Sequence, residues 1–396
     1  MSEPDLMQGF PPTPETQVTL ANWRTAPYSR WAFHHVREIV ASADIPNDPD
    51  AVFALPPEPA DLDRLMVDGV ALGSILDTTE TDGIVVLQHG RLVFETYANG
   101  MDAFTPHILM SVSKSLLGLI AGILIEDGTL DPSAPVTAYV PEITNTAYKG
   151  ATIRNLLDMR AGVEFDENYL ATSGAIIAYR KAQNWNPLEP GEKPSDLRSF
   201  YESMTAEDGP HNGRFHYVSP NTDLLGWVIE RASGRRYADL VSERLWRPMG
   251  AERGAYITVD RLGAPRCAGG VCTTVRDLAR VGQLLLQDGN RNGRQIIPSS
   301  WIDDLIAGGD PAAWNTGDFV DLFRGAPMRY RSQWYVKDGP APLLFGFGVH
   351  GQNLFVDRTN HIVVAKVSSQ ASPIDDAHTA QTLRAVEVIR ATLANS

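Results

Sequence analysis

At 396 residues the chain is too long for one simple core, and two lobes, or one domain with a large insertion, are expected. Its 43% hydrophobic and 21% charged residues are the balance of a globular fold. A net charge of −14 gains nothing from counterion release, so neither nucleic acid nor an anionic membrane is expected as a partner.

Residues 1–20, with Pro11, Pro12 and Pro14, read as an extended or poorly ordered arm. They lack the basic and apolar regions of a signal peptide, so the cytoplasm is the expected location. Arg30 to Val40 reads as a helix with aromatic anchors. The adjacent His34 and His35 do not face each other on a helix, which favours packing over metal binding. Pro46 to Pro59 reads as a linker. Two β-branched runs around His89-Gly90, between Gly83 and Tyr97, predict a hairpin.

The apolar run Leu116 to Ile125 follows. It is too short to cross a bilayer and apolar nearly all round, so it reads as a buried central helix. Each of Gly118 and Gly122 costs such a helix about 1 kcal/mol against alanine, which points to close packing. The helix is expected to end near Asp127-Gly128. Thr152 suits a helix N-cap. Residues 165–210 are aromatic and polar without a regular period and are expected, with 308–345, to shape a pocket.

Helices are predicted over Asn221 to Ala232, Thr273 to Leu286 and Trp301 to Ala307. Strands are predicted over Arg331 to Lys337, Leu343 to Val349, Gln352 to Asp357 and His361 to Ser368, before a final helix from about Asp376 to Asn395. The fold class is α+β: residues 1–110 and 255–396 form an antiparallel sheet flanked by helices, and 111–254 a mainly helical inserted lobe. Cys267 and Cys272 are the only cysteines and are expected to be free thiols.

The chemistry concentrates at Ser111 and Lys114, three residues apart just before the apolar run. On a helix that spacing lets hydroxyl and amine meet. A serine needs a base to become a nucleophile, and a lysine serves once burial lowers its pKa. A serine at the first turn of a buried helix also lies near free backbone N–H groups that can hold an oxyanion. Ser and Lys at this spacing also occur by chance, so the pair needs context.

That context comes from two further segments, Phe215-His216-Tyr217-Val218-Ser219 and Gly346-Phe347-Gly348-Val349-His350-Gly351. With Ser111-Val112-Ser113-Lys114, their order resembles the β-lactamase and penicillin-binding-protein superfamily of serine hydrolases. Leu130-Asp131-Pro132 and Tyr139-Val140-Pro141-Glu142 fit the same likeness, which spans roughly 80–370. It is greatest to the class C-like branch of 6-aminohexanoate-dimer hydrolases and carboxylesterases. It implies a β-lactamase-like fold and a catalytic set of Ser111 as nucleophile, Lys114 as base and Tyr217 as acid/base. It also implies an oxyanion hole from the N–H groups of Ser111 and Val349, with Tyr169, Trp334 and His350 around the substrate.

Two departures narrow the substrate. The Lys-Thr-Gly triplet of β-lactamases is replaced by Gly346-Phe347-Gly348, and Ser219 stands where many relatives have Asn. Ala178-Tyr179-Arg180-Lys181 is basic where the nylon-oligomer enzymes favour an ammonium group, so a carboxylate or neutral ester suits it better. The expected activity is acyl-enzyme hydrolysis of short-chain carboxylic esters and small linear amides such as 6-aminohexanoate oligomers. No metal or other cofactor is expected. A β-lactamase or D-alanyl-D-alanine peptidase, and a catalytically silent ligand-binding relative, remain as alternatives. The small-molecule substrate is the one partner implied, and a homodimer stays open. Gly346 to Gly351 also spells G-x-G-x-x-G, but the text after it reads as a strand rather than the required helix.

Overall fold

The computed structural model describes residues 5–395. Its centre is an antiparallel seven-stranded sheet built from both ends of the chain. Strands β2 (Thr81–Gln88) and β3 (Arg91–Tyr97) come early, after the short β1 (Ser42–Ile45). His89 and Gly90 between them both have positive φ, +48° and +78°, as a tight two-residue hairpin turn requires. Short β4 (His107–Ile108) leads into helix α1 (Val112–Glu126).

The middle of the chain supplies α2 (Ala175–Ala182) and α3 (Ser219–Ser233), then β5 (Ala255–Thr258), β6 (Val271–Thr273) and α4 (Val275–Leu286). The last third returns to the sheet through β7 (Met328–Arg331), β8 (Trp334–Lys337), β9 (Leu343–Gly348), β10 (Gln352–Asp357) and β11 (Ile362–Ser368), and closes with α5 (Asp376–Leu393). The sheet order is β7-β8-β9-β10-β11-β2-β3, so the first hairpin pairs with the last strand. A second, four-stranded sheet runs β1-β5-β6-β4.

Both faces of the large sheet are covered, which explains why its strands are apolar runs. Val363, Ala365 and Val367 of β11 join the core that holds α1 and α4. Ile362 and Val364 point the other way, to Val386 and Ile389 of α5. Helix α1 is buried from Val112 to Leu124 because it lies between β8, β9 and β10 on one side and α3 on the other. Its two glycines mark the closest approaches. A Cβ at Gly118 would sit 2.2 Å from the Ser332 carbonyl oxygen, and one at Gly122 would sit 2.4 Å from the Trp301 ring.

The four-stranded sheet aims the start of α1. Leu109 N–H donates to Val271 O at 2.8 Å, and Met110 then takes φ +44° to turn the chain into the helix. Among the described residues no helix is long and apolar enough to cross a membrane.

Several expectations need correction. Arg30 to Val40 is not one helix: a short helix ends at Ala32 and a single 3-10 turn covers Val36–Glu38. The Phe33 carbonyl accepts from Ile108 N–H, so it cannot continue the helical ladder. The strand expected from Arg331 divides at Ser332 and Gln333, whose positive φ values of +49° and +72° make a hairpin between β7 and β8. The arm, outside the undescribed Met1 to Pro4, is docked: Leu6, Val18 and Trp23 are buried against Phe33 and Trp185. Cys267 and Cys272 are free and buried. Thr152 caps its helix in a reciprocal box with Asn155.

The glycine packing gives a direct test. In a solvated helix Gly→Ala stabilises, but at Gly118 the methyl meets a backbone carbonyl that cannot rotate away. Gly118→Ala is expected to lower unfolding free energy by about 2 kcal/mol, read from urea denaturation. A stabilised variant would show that α1 and Ser332 do not pack as described.

Candidate active site

Ser111 is the N-cap residue of α1, and Lys114 lies one turn on, inside the protein. The Lys114 ammonium has three donors and three acceptors: Ser111 Oγ at 2.9 Å, Ser219 Oγ at 3.1 Å and Ala268 O at 2.8 Å. Burial lowers its pKa to about 7. Glu167 and Asp223 oppose that shift, and Arg266 adds to it. A large fraction of the side chain is therefore a neutral amine near neutral pH, able to take the Ser111 proton.

Each acceptor is held by its own support. Ser219 begins α3, and Glu167 receives both its N–H, at 2.8 Å, and its hydroxyl. Ala268 is fixed by its N–H to Asp223 Oδ1 at 2.8 Å. Asp223 also pairs with Arg266 at 2.6 Å and accepts from the Tyr179 hydroxyl. The serine, the lysine and the loop from Arg266 to Gly269 are thus joined through α3.

Tyr217 precedes α3 and packs beneath the site, with the Lys114 nitrogen 4.9 Å from its ring centre. Its hydroxyl lies near that of Ser111, and the neighbouring Tyr335 hydroxyl is buried without a hydrogen-bond partner. Burial, aided by Glu167, raises its pKa, so it stays a neutral phenol. Phe319 lies tilted against its ring, with centroids 4.9 Å apart.

Beyond Ser111 opens a cavity of about 570 Å³. Trp23 and Arg24, just past the arm, the 167–189 segment with Tyr169 and, on α2, Arg180, and Val349 and His350 after β9 all line it. A Cβ on Gly348 would lie 3.0 Å from both Leu109 O and Ser111 N, so the end of β9 abuts the serine's own turn. At Gly346 a Cβ would lie 2.8 Å from Ser115 Oγ. The small residues standing at the triplet position let α1 lie directly on the strand.

His350 has φ +61°, and its Nδ1 bonds to the Gln370 carbonyl at 2.6 Å. Burial holds its pKa down at about 4, with help from Arg24 and Arg180, so it is neutral at pH 7. The Tyr169 hydroxyl donates to Glu167 at 3.1 Å.

The expected residues divide clearly. Ser111, Lys114 and Tyr217 come together, and Ser111, Tyr169, Val349 and His350 line the cavity. Trp334 does not belong there: it is fully buried behind α1 and its indole N–H donates to Ser115 O at 3.0 Å. The 165–210 segment lines the cavity, but 308–345 does not, touching the site only from behind through Phe319 and Tyr335. Glu167 and Asp223 carried no sequence signal beyond their proximity to Tyr169 and α3. Arg24, between the arm and the first helix, carried no sequence signal either. Among the described residues no cluster of His, Cys, Asp or Glu suits a metal ion.

The depressed Lys114 pKa also has a stability signature. The unfolded chain binds a proton at Lys114 up to its ordinary pKa of 10.5, whereas the folded chain releases it near 7. Between those values the unfolded state holds more protons, so stability gained from this group rises with pH. Wild type is expected to gain stability relative to Lys114→Met as pH goes from 7 to 10, read by paired chemical denaturation. A difference flat in pH would mean the amine keeps its ordinary pKa.

A family model described as Beta-lactamase matches residues 64–388. The chain is 35% identical over 366 residues to the 6-aminohexanoate-dimer hydrolase of Paenarthrobacter ureafaciens, covering 92% of this chain and 91% of that one. A solved Bacillus anthracis structure, described provisionally as a 6-aminohexanoate-dimer hydrolase, superposes with TM-score 0.85 at 30% identity, over 97% of this chain and 99% of that one. A family VIII carboxylesterase shares the fold, with TM-score 0.59 at 16% identity, over 80% of this chain and 94% of that one.

Proposed function

The chain belongs to the beta-lactamase family, as a relative of 6-aminohexanoate-dimer hydrolase, and from that premise we propose that it is a serine hydrolase working through an acyl-enzyme. One observation carries the reading: a fully buried lysine amine, its pKa near neutral, lies 2.9 Å from a serine hydroxyl that opens on a cavity. The substrates are short-chain carboxylic esters and small linear amides such as 6-aminohexanoate oligomers.

Neutral Lys114 takes the Ser111 proton as Oγ attacks the carbonyl carbon. The carbonyl π electrons move to oxygen, which the N–H groups of Ser111 and Val349 receive. The tetrahedral centre collapses, its bond to the leaving oxygen or nitrogen breaks, and Tyr217 gives that atom a proton. Lys114, now an ammonium, returns a proton to Tyr217. Water repeats the sequence on the acyl-serine, giving its proton to the same Lys114–Tyr217 pair and releasing the acid. The raised Tyr217 pKa keeps the phenol protonated until the adjacent Lys114 ammonium can replace the proton it gives, and the lowered Lys114 pKa leaves a free amine to act as base. Tyr169, beside the leaving group, is the residue that would assist amide cleavage. The absence of a cation on β9 argues against β-lactams and D-alanyl peptides.

The decisive assay is hydrolysis of p-nitrophenyl acetate and butyrate, 6-aminohexanoate dimer and nitrocefin. Wild type is expected to turn over the esters and leave nitrocefin intact. Ser111→Ala should abolish turnover and covalent labelling by a fluorophosphonate, while Tyr217→Phe should lose about 100- to 10,000-fold in kcat/KM. A folded wild type that neither labels nor hydrolyses any of these would sink the proposal.

The pH profile tests the base separately. Protonated Lys114 cannot accept the serine proton, so kcat/KM for the butyrate ester should fall as pH drops through about 7 and level off above it. A profile level from pH 5 to 9 would remove Lys114 from the role of base.

A further inference from the structure

Three guanidinium groups converge on the cavity above Ser111: Arg24, Arg180 and Arg266. Only Arg266 has a carboxylate of its own, Asp223 at 2.6 Å. Among the described residues Arg24 and Arg180 make no ion pair; their hydrogen bonds go to neutral oxygens. Arg24 donates to the Asn186 side-chain oxygen, and its Nε is buried with no partner. Arg180 donates to the Tyr169 carbonyl at 2.8 Å. The neighbouring Lys181 differs, being paired with Glu192 at 2.6 Å.

The two arginines feel each other. Burial first, then Arg180 and Arg266, bring the Arg24 pKa down to about 9. Burial likewise lowers that of Arg180, although Glu167 resists. The cavity's acidic groups do not neutralise them. Glu167 is engaged by Ser219 and Tyr169, and Glu189 is exposed at the mouth. Crowding two half-buried like charges with no carboxylate hydrogen-bonded to either is unfavourable, and an anion in the cavity would relieve it. Arginine suits a carboxylate because its planar fork can donate two parallel bonds. Trp23 and Trp185, 5.7 Å and 5.9 Å from the Arg24 guanidinium carbon, add an apolar wall for the chain that would carry the carboxylate.

We propose that Arg24 and Arg180 form a carboxylate subsite, and that the preferred substrate is an ester or amide bearing a carboxylate several atoms from its scissile carbonyl. The inference rests on the hydrolase reading above and names its substrate class. The segment that follows the docked arm is thereby part of substrate recognition, since it carries Arg24. A substrate with an ammonium at that end is disfavoured by the same two charges.

Two pairs of esters test this and locate the carboxylate. Mono-p-nitrophenyl adipate against p-nitrophenyl hexanoate places it on the acyl part. p-Butyryloxybenzoate against phenyl butyrate places it on the leaving part. In at least one pair the wild-type kcat/KM ratio of anionic to neutral ester is expected to reach about ten- to a hundredfold, the range of a hydrogen bond to a charged group. That ratio should collapse toward one in Arg24→Gln and Arg180→Gln, survive in part in Arg24→Lys and Arg180→Lys, and shrink in high salt.

Neutral esters favoured in both pairs, or a ratio untouched by both glutamine variants, would overturn the subsite. A second readout needs no turnover. Ser111→Ala protein should bind monomethyl adipate at least tenfold more tightly than dimethyl adipate by calorimetry. Equal affinities would count against the subsite even if every ester is hydrolysed. Tighter binding of the monoester would support it even if no ester is hydrolysed and the hydrolase reading fails.

Discussion

The structure around the site depends on keeping one lysine amine in the interior. Lys114 is almost wholly buried on a helix that is itself buried, and an ammonium taken out of water loses on the order of several kcal/mol of solvation. Three oxygen acceptors within 3.1 Å offset part of that loss. They come from Ser111, Ser219 and Ala268, three separate segments of the chain, so the lysine requires α1, α3 and the Arg266 loop in one arrangement. The remaining deficit appears as a pKa near 7. The same burial therefore makes the site costly to build and leaves the amine unprotonated near neutral pH, free to accept a proton.

Supporting groups follow from that requirement. Asp223 fixes Ala268 through its N–H and is itself neutralised by Arg266, while Glu167 holds Ser219. Gly346 lets α1 rest on β9, and the positive φ of Met110 turns the chain so that Ser111 caps the helix beside the strand end. Charge is divided across the cavity. The strand carries no cation beside the serine, and the unpaired positive charge lies instead on Arg24 and Arg180 at the opposite wall.

The parts legible in the sequence were those set by local rules. The His89-Gly90 hairpin, the all-round apolar α1 and the Thr152 cap each depend on a few neighbouring residues, and each formed. The Ser111–Lys114 pair was readable because helical spacing alone brings the two together. Long-range choices were not readable. Phe33 gives its carbonyl to Ile108, which breaks a helix that local pattern favoured. Trp334, expected around the substrate, points behind α1 instead, where its indole N–H donates to Ser115 O. Arg24 reaches the cavity because Trp23 packs edge-on against Trp185, 162 residues away, and nothing in a proline-rich arm announces such a partner.

A second buried pair in the same protein shows how little a serine–lysine contact means alone. On β11 Lys366 donates to Ser368 Oγ at 2.5 Å, and burial lowers its pKa to about 7, as for Lys114. Yet neither residue borders the cavity that Ser111 opens on. Its serine ends the strand, pairing with Thr81 of β2 and giving its N–H to the Gln352 side chain, so it does not open a helix as Ser111 does. Two amines of similar basicity thus differ only in what surrounds their serines. A nucleophile needs a base, an approach path and preorganised N–H donors together, and the hydrolase reading proposed above assigns all three to the turn at Ser111, between α1 and the end of β9.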